Sequence, residues 1–160
     1  MVKHIKSLKS KKYQKKKKIT KHKKQIGGQS KLQLQYGNII VNGQQLTKEQ
    51  TNSIPNITVN YPNRILLIML DPDAPNGQGN MNNKTFVHLV QIYENGKLKK
   101  TLVPYYPPTP PKGIHRYITY IYQSPQNQMY TFGKPSFDYY KTIKQLLNKP
   151  LESRMFTVSS

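Results

Sequence analysis

The pattern of hydrophobic and polar positions predicts a chain built mostly of short β-strands. Hydrophobic residues alternate with polar ones from Leu32 to Tyr36, as in a strand with one buried face. The run from Ile65 to Leu70 is hydrophobic at every position, which is typical of a strand buried on both faces. Other stretches rich in residues that favour strands are 39–41, 57–61, 98–103, 114–122 and 155–158.

The stretch 86–93 predicts a further strand, and it precedes the strongest hairpin signal in the chain. A strict two-residue period would place Phe86, His88, Val90 and Ile92 on one face, and Val87, Leu89, Gln91 and Tyr93 on the other. Asn95-Gly96 then predicts a tight turn, and Asn42-Gly43 predicts a second hairpin. Hydrophobic residues at helical spacing predict one helix over 137–148, ending before Pro150.

The segment Asp71-Pro72-Asp73-Ala74-Pro75 directly follows the hydrophobic run. It holds two of the six acidic residues in the chain. Pro72 favours an extended backbone at Asp71, and if the extension continues to Asp73 both carboxylates lie on one face of the strand. Ala74-Pro75 predicts a turn with a cis peptide bond. A polar turn is the simplest interpretation of such a segment. The positions of two histidines elsewhere in the chain favour a further role, as a site.

Two histidines lie on predicted strands. His88 shares a face with hydrophobic residues, and His115 follows the Pro-rich loop 104–113 and shares a face with Tyr117. A single buried histidine is usually structural, but two histidines and two aspartates at the ends of neighbouring strands favour a site. The same residue types bind metals, although no His-x-x-x-His or Glu-x-x-His spacing supports a metal centre. The Pro-rich loop also fits a polyproline ligand for an SH3-type partner.

Charge divides the chain into two predicted parts. Residues 1–31 hold thirteen Lys and no acidic residue, so we expect a disordered basic tail. Residues 32–160 hold the other thirteen Lys and Arg and all six acidic residues, a net +7, and form the predicted domain. The chain has no Cys, no hydrophobic run long enough for a membrane span and no signal-peptide pattern. We expect a cytoplasmic protein, with a nuclear or virion-associated location as an alternative suggested by the tail.

Three motifs, in the same order, resemble the phosphatidylethanolamine-binding protein family. They are the hydrophobic run ending in Asp71-Pro72-Asp73-Ala74-Pro75, the Val87-His88 strand, and Pro110-Pro111-Lys112-Gly113-Ile114-His115-Arg116-Tyr117. The resemblance extends over most of the predicted domain. It implies a mainly β, antiparallel fold with few short helices, and a small pocket for phosphate-like anions and phospholipid headgroups.

The resemblance also implies roles for individual residues. The residues expected to line the pocket are Asp71, His88, His115 and Tyr117, with Pro75 and Pro111 shaping its mouth. Asp73 and Arg116 are expected to support the pocket as a charge pair. The sequence ends soon after the last predicted strand, so we expect no C-terminal helix of the kind that covers the pocket in some members. The basic tail has no counterpart in the family pattern.

These features leave three functional hypotheses. The first is a non-catalytic, monomeric binding module for phosphorylated small molecules or phospholipid headgroups, needing no cofactor or metal and regulating a partner protein. The second is a nucleic-acid-binding or packaging protein that acts through residues 1–31, with a vestigial pocket; an anionic membrane surface is another partner for this tail. The third is a weak hydrolase using Asp71 and His115. An ionised Asp71 would repel an anion unless it is protonated, paired with a histidine, or bonded to a ligand hydroxyl or ammonium.

Overall fold

The protein is a mainly β structure in its described part. The computed structural model describes residues 30–80, 84–132, 134–137, 145 and 149–160. Within these ranges the strands are β1 Leu32–Tyr36, β2 Ile39–Ile40, β3 Gln45–Leu46, β4 Asn56–Val59, β5 Arg64–Asp71, β6 Phe86–Glu94, β7 Lys97–Val103, β8 Ile114–Gln123 and β9 Glu152–Ser159. The predicted fold class is therefore confirmed. The helix predicted over 137–148 lies outside the described residues, apart from Phe137 and Gln145.

The strands form two sheets. The smaller sheet has the order β2-β1-β4, and the larger has the order β3-β9-β8-β5-β6-β7. Neighbouring strands are antiparallel, except that β3 pairs in parallel with β9. The hydrophobic run predicted as the core strand, β5, lies near the middle of the larger sheet between β8 and β6.

Strand β5 is buried on both faces, as its unbroken hydrophobic run predicts. On one face Leu67 and Met69 pack in the core shared with the smaller sheet, where Leu32 and Leu34 of β1 contribute. On the other face Leu66, Ile68 and Leu70 pack in a second cluster that Tyr130 and Phe132 partly cover. Burying a Leu or Ile side chain contributes roughly 2 kcal/mol, so both clusters hold this strand firmly in place.

The two predicted hairpin turns have different outcomes. Asn95 and Gly96 adopt φ values of 51° and 76° and connect β6 to β7, which confirms that turn. The turn predicted at Asn42-Gly43 is wrong. Gly37 and Asn38 join β1 to β2 instead, and the backbone N–H of Gly43 donates to the carbonyl of Met155 at 2.8 Å. That contact directs the chain to β9, where β3 pairs in parallel, because tertiary pairing outweighs the local turn signal.

Strand β6 contains an irregularity that changes which way His88 faces. Met69 of β5 pairs with Leu89, but the next residue, Leu70, pairs with Val87. His88 therefore has no partner residue on β5. Strict alternation was therefore wrong at this point. Val87, Val90 and Ile92 pack in the second cluster, whereas Leu89 packs in the core between the sheets. The His88 ring lies 5.1 Å from the Tyr117 ring of that same core. A bulge of this kind re-aims one side chain.

The described residues include the last two residues of the predicted tail, Ser30 and Lys31. The backbone N–H of Lys31 donates to Glu152 at 3.0 Å, and the backbone N–H of Asn60 donates to the carbonyl of Lys31 at 2.8 Å. Residues 1–29, the rest of the predicted tail, lie outside the described residues. In the described part of the chain, no helix combines the length and hydrophobicity that crossing a membrane would require.

Candidate functional site

A cavity of about 200 Å³ opens where β5 ends and β6 and β8 begin. All six residues predicted to form the pocket line it: Asp71, Pro75, His88, Pro111, His115 and Tyr117. They come from three strands and two loops. Their meeting in one cavity agrees with the juxtaposition expected from the sequence, while their role in binding stays a prediction.

The chain turns sharply immediately after β5. Asp71 accepts a hydrogen bond from the backbone N–H of Asp73 at 2.8 Å, which closes an Asx turn. The Ala74-Pro75 peptide bond is cis, as predicted. Because the turn ends the extended backbone at Asp71, the condition under which both carboxylates would share one face is not met. Asp71 reaches His115, and Asp73 reaches the next residue of β8, Arg116.

Asp71 and His115 form a buried pair in the wall of the cavity. His115 Nδ1 lies 2.7 Å from Asp71 Oδ2, and His115 Nε2 lies 3.1 Å from the carbonyl of Lys112. A proton shared in the first bond and another on Nε2 satisfy both contacts, and the pair then has no net charge. Burial raises the pKa of Asp71, against the lowering effect of its bonds to His115 and Asp73. Pairing with histidine is therefore how the cavity accommodates this carboxylate.

His88 forms another part of the wall and is hydrogen-bonded to the loop after β7. Its Nδ1 lies 2.7 Å from the carbonyl of Tyr106, and the backbone N–H of Tyr106 donates to the carbonyl of His88 at 2.8 Å. A carbonyl only accepts, so Nδ1 carries the proton. Burial lowers the pKa of His88 to about 4, although the bond to Tyr106 opposes the change. At neutral pH His88 is uncharged, and its Nε2 is a hydrogen-bond acceptor.

Tyr117 supplies a hydroxyl to the cavity. Its ring stacks on Phe156 at 5.2 Å, which fixes the side chain against the core between the sheets. Burial raises the pKa of Tyr117, so the hydroxyl keeps its proton. Among the described residues no hydrogen bond acts on this hydroxyl, so its proton is available for donation.

Asp73 and Arg116 form the charge pair expected from the sequence, and neither residue lines the cavity. Arg116 Nε and Nη2 each donate to a carboxylate oxygen of Asp73 at 2.8 Å, and the backbone N–H of Arg116 donates at 2.9 Å. Burial alone would raise the pKa of Asp73, but the bonds from Arg116 outweigh it and hold that pKa below its usual value. The pair therefore joins the turn after β5 to β8.

The mouth of the cavity is aromatic, and sequence reasoning missed most of it. The missed lining residues are Ala74, Phe86, Tyr106, Thr109, Pro110 and Phe137. Phe86 lies between His88 and Phe137, with ring centroids 4.8 Å and 4.9 Å away. The signal for Phe86 was its position two residues before His88, on the same side of the bulge. Tyr106 and Thr109 belong to an irregular loop, which carries no periodic signal.

The Pro-rich loop forms one wall of the cavity and does not present an exposed polyproline ligand. Pro108 and Pro110 are buried, and Pro110 and Pro111 line the cavity. An SH3-type partner needs the proline side chains exposed, so the structure disfavours that alternative. Tyr105 fixes the start of the loop, because its hydroxyl donates to the carbonyl of Thr51 at 2.7 Å. Metal binding finds no support in the described ranges either, where no three acidic, His or Cys side chains are grouped as ligands.

Comparison with known proteins supports the fold. No model of a known protein family matches the chain. Among solved structures, a carboxypeptidase Y inhibitor complexed with its cognate proteinase matches at 24% identity with a TM-score of 0.62, over 81% of this chain and 82% of that one. A phosphatidylethanolamine-binding protein from Plasmodium falciparum matches at 21% identity with a TM-score of 0.57, over 80% and 84% of the two chains.

The chain has the phosphatidylethanolamine-binding-protein fold. A third structure of this fold, a putative phosphatidylethanolamine-binding protein homolog from Chlamydia trachomatis, matches at 16% identity with a TM-score of 0.50, over 81% of this chain and 97% of that one. At these identities the likeness concerns the fold.

Proposed function

We propose that this protein is a non-catalytic binding module for a small phosphorylated group, either a free phosphate ester or a phospholipid headgroup. The observation that carries the proposal is the cavity of about 200 Å³, with polar groups from Asp71, His88, His115 and Tyr117 inside and aromatic rings at its mouth. Drug-sized ligands occupy pockets of roughly 300–1,000 Å³, so this cavity suits a smaller group. The fold it shares with phosphatidylethanolamine-binding proteins is consistent with that ligand class.

The contacts in the cavity suit binding better than catalysis. Both nitrogens of His115 are engaged, one by Asp71 and one by the carbonyl of Lys112. This histidine therefore has no free nitrogen to act as a general base toward a ligand. His88 is fixed by Tyr106, and no Ser or Cys is among the described residues that line the cavity to act as a nucleophile. The hydrolase hypothesis would need a turnover of phosphate esters that His115→Ala abolishes.

The test is a calorimetric titration of the full-length protein with phosphoethanolamine. Tyr117→Phe should weaken binding about tenfold, because it removes a hydroxyl that donates to the ligand. The matched control is Tyr122→Phe on the same strand, since Tyr122 packs in the second cluster and does not line the cavity, and its hydroxyl has no hydrogen-bond partner among the described residues. No binding, or equal losses in the two variants, would reject the proposal.

Regulation of a protein partner is a second candidate function. The match to a proteinase inhibitor favours it, because that protein was solved together with the proteinase it inhibits. The check is hydrolysis of a peptide substrate by a carboxypeptidase, with and without an excess of this protein. A rate that does not change would remove proteinase inhibition from consideration.

We further propose that the basic residues 1–31 bind a polyanion independently of the cavity. Their thirteen lysines have no acidic neighbours in sequence, and lysine contacts phosphates without reading bases. If roughly half of them contact duplex DNA, log K should fall against log salt with a slope of about −5. Full-length protein with these lysines replaced by Gln is the comparison, on DNA and on anionic vesicles. DNA binding that persists in the variant would reject the tail as the polyanion site.

A further inference from the structure

The polar groups of the cavity include few charged hydrogen-bond donors. No Lys or Arg is among its described lining residues. The donors that side chains offer at neutral pH are the hydroxyls of Tyr106, Thr109 and Tyr117. Two acceptors face the same space, the carboxylate of Asp71 and Nε2 of His88. Among the described lining residues, a fully deprotonated phosphate would meet both acceptors and no Lys or Arg, and the one charged ring, that of His115, is already paired with Asp71.

The hydrogen bond to Tyr106 fixes the tautomer of His88. Since Nδ1 must donate to the Tyr106 carbonyl at 2.7 Å, Nε2 has a lone pair in the uncharged ring. Among the described residues Nε2 has no hydrogen-bond partner, and the side chain lines the cavity. An anion oxygen beside this nitrogen is repelled unless a proton lies between them.

Resting on the function proposed above, we propose that the cavity takes up its anion together with one proton, held between His88 Nε2 and an anion oxygen. The ligand class is therefore a phosphate monoester in its singly protonated form, which carries a P–O–H donor. A phosphate that lacks this proton binds only when His88 itself becomes protonated. A protonated ligand beside uncharged His88 and a deprotonated ligand beside protonated His88 hold the same number of protons. They differ only in which atom holds the shared proton.

The surroundings of His88 keep the proton at this position. The groups that face it are Tyr106 from the loop after β7, Asp71 from the end of β5, and His115 and Tyr117 from β8. Asp71 and His115 are already bonded to each other and have no net charge as a pair. Burial, with the charge of His115 as a smaller cause, lowers the pKa of His88. In the empty cavity His88 is therefore uncharged, and the proton must arrive with the ligand.

The experiment measures protons taken up on binding. Full-length protein is titrated with methyl phosphate at pH 7.5 in buffers of different ionisation enthalpy. The second pKa of a phosphate ester is about 6, so most of the free ligand is deprotonated, and we expect about one proton taken up per ligand bound. The affinity should fall about tenfold per pH unit between pH 7 and 8. Dimethyl phosphate, which has no second proton, should bind at least 100-fold more weakly at pH 7.5 and gain about tenfold per unit on acidification.

Two variants locate the proton. His88→Gln should bind methyl phosphate without proton uptake, because an amide N–H donates to a deprotonated oxygen. Asp71→Asn should keep the uptake. If Asp71→Asn abolishes it instead, the proton belongs to the pair with His115 and the proposal is wrong. Should the glutamine variant fail to fold, the ring ¹⁵N shifts of His88 in the wild-type protein decide the question, since Nε2 must change from acceptor to hydrogen-bonded on binding.

The remaining outcomes separate this proposal from the one it rests on. Binding of methyl phosphate with no proton uptake overturns the proton-coupled mechanism and leaves the phosphate-binding function in place. Absence of binding at both pH 5.5 and pH 7.5 overturns the function and the mechanism together.

Discussion

Two carboxylates, separated only by Pro72, have opposite surroundings in this protein. Asp71 faces the cavity and pairs with His115, whose two bonds leave the pair without net charge. Asp73 points away from the cavity and forms three hydrogen bonds with Arg116, a residue whose side chain is 36% exposed. The first pair lies in the wall of the cavity proposed to bind a ligand, and the second holds the turn in place. Adjacent residues of β8 therefore contact the cavity and the turn separately.

The largest effect should come from the structural pair. Arg116→Ala removes two bonds to Asp73 and leaves a buried carboxylate with one backbone donor, so we expect a loss of about 3 kcal/mol in the free energy of unfolding. That value is at the low end for a broken buried pair because Arg116 is partly exposed. Urea unfolding measures it. Arg116→Lys should recover part of the loss, and equal stability of Arg116→Ala and wild type would contradict the assigned role.

The contribution of His88, in the cavity wall, to the stability of the fold should instead depend on pH. Burial lowers the pKa of His88 from 6.5 to about 4, so between these values the folded protein binds fewer protons than the unfolded chain. The stability from the uncharged ring is complete above pH 6.5 and decreases as the pH falls toward 4. The expected loss at pH 5 is about 2 kcal/mol relative to pH 7.

Chemical unfolding of wild type and His88→Gln at pH 7 and pH 5 isolates this contribution. The variant should lose about 2 kcal/mol less than wild type over the same interval. Identical pH dependence in the two proteins would show that His88 is protonated as easily in the folded protein as in the unfolded chain.

The position of the Pro-rich loop in the cavity wall should depend on the hydroxyl of Tyr105, a residue that does not line the cavity. Tyr105 donates to the carbonyl of Thr51 and also contacts the hydroxyl of Tyr36 at 3.0 Å. Tyr105→Phe should lower the free energy of unfolding by about 1 kcal/mol. It should also weaken phosphoethanolamine binding a few-fold, because Tyr106 is the next residue of this loop. A loss of stability with unchanged affinity would show that the cavity wall does not depend on this bond.

The smallest effect should come from Asp71→Asn. The asparagine amide can donate to His115 Nδ1 while its carbonyl still accepts from Asp73, so both bonds persist and the pair stays neutral. We expect the free energy of unfolding to change by less than about 1 kcal/mol. The affinity for methyl phosphate should stay within about threefold. Asp71→Ala, which removes both acceptors, should weaken binding at least tenfold. A large loss of stability in Asp71→Asn would show that this pair is structural, as Asp73 and Arg116 are.

Most strands and the candidate site residues could be predicted from the sequence. The unbroken run in β5 predicted a strand buried on both faces, and alternation in β8 placed His115 and Tyr117 on one side, because burial in a sheet imposes a two-residue period. Asn95-Gly96 predicted its turn because those residues tolerate positive φ. The motif resemblance supplied all six predicted lining residues of the cavity.

The way these residues come together depends on contacts formed in the folded protein. A bulge, whose position depends on pairing with β5, turns His88 toward Tyr117, where strict alternation would have placed it with Val90 on the other face. The Asx turn at Asp71 separates two carboxylates that an extended backbone would have kept together. The bond from His88 to Tyr106 joins a strand to an irregular loop and determines which ring nitrogen is left without a proton. The bulge and the bond to Tyr106 depend on residues distant in sequence, so no local period or propensity records them.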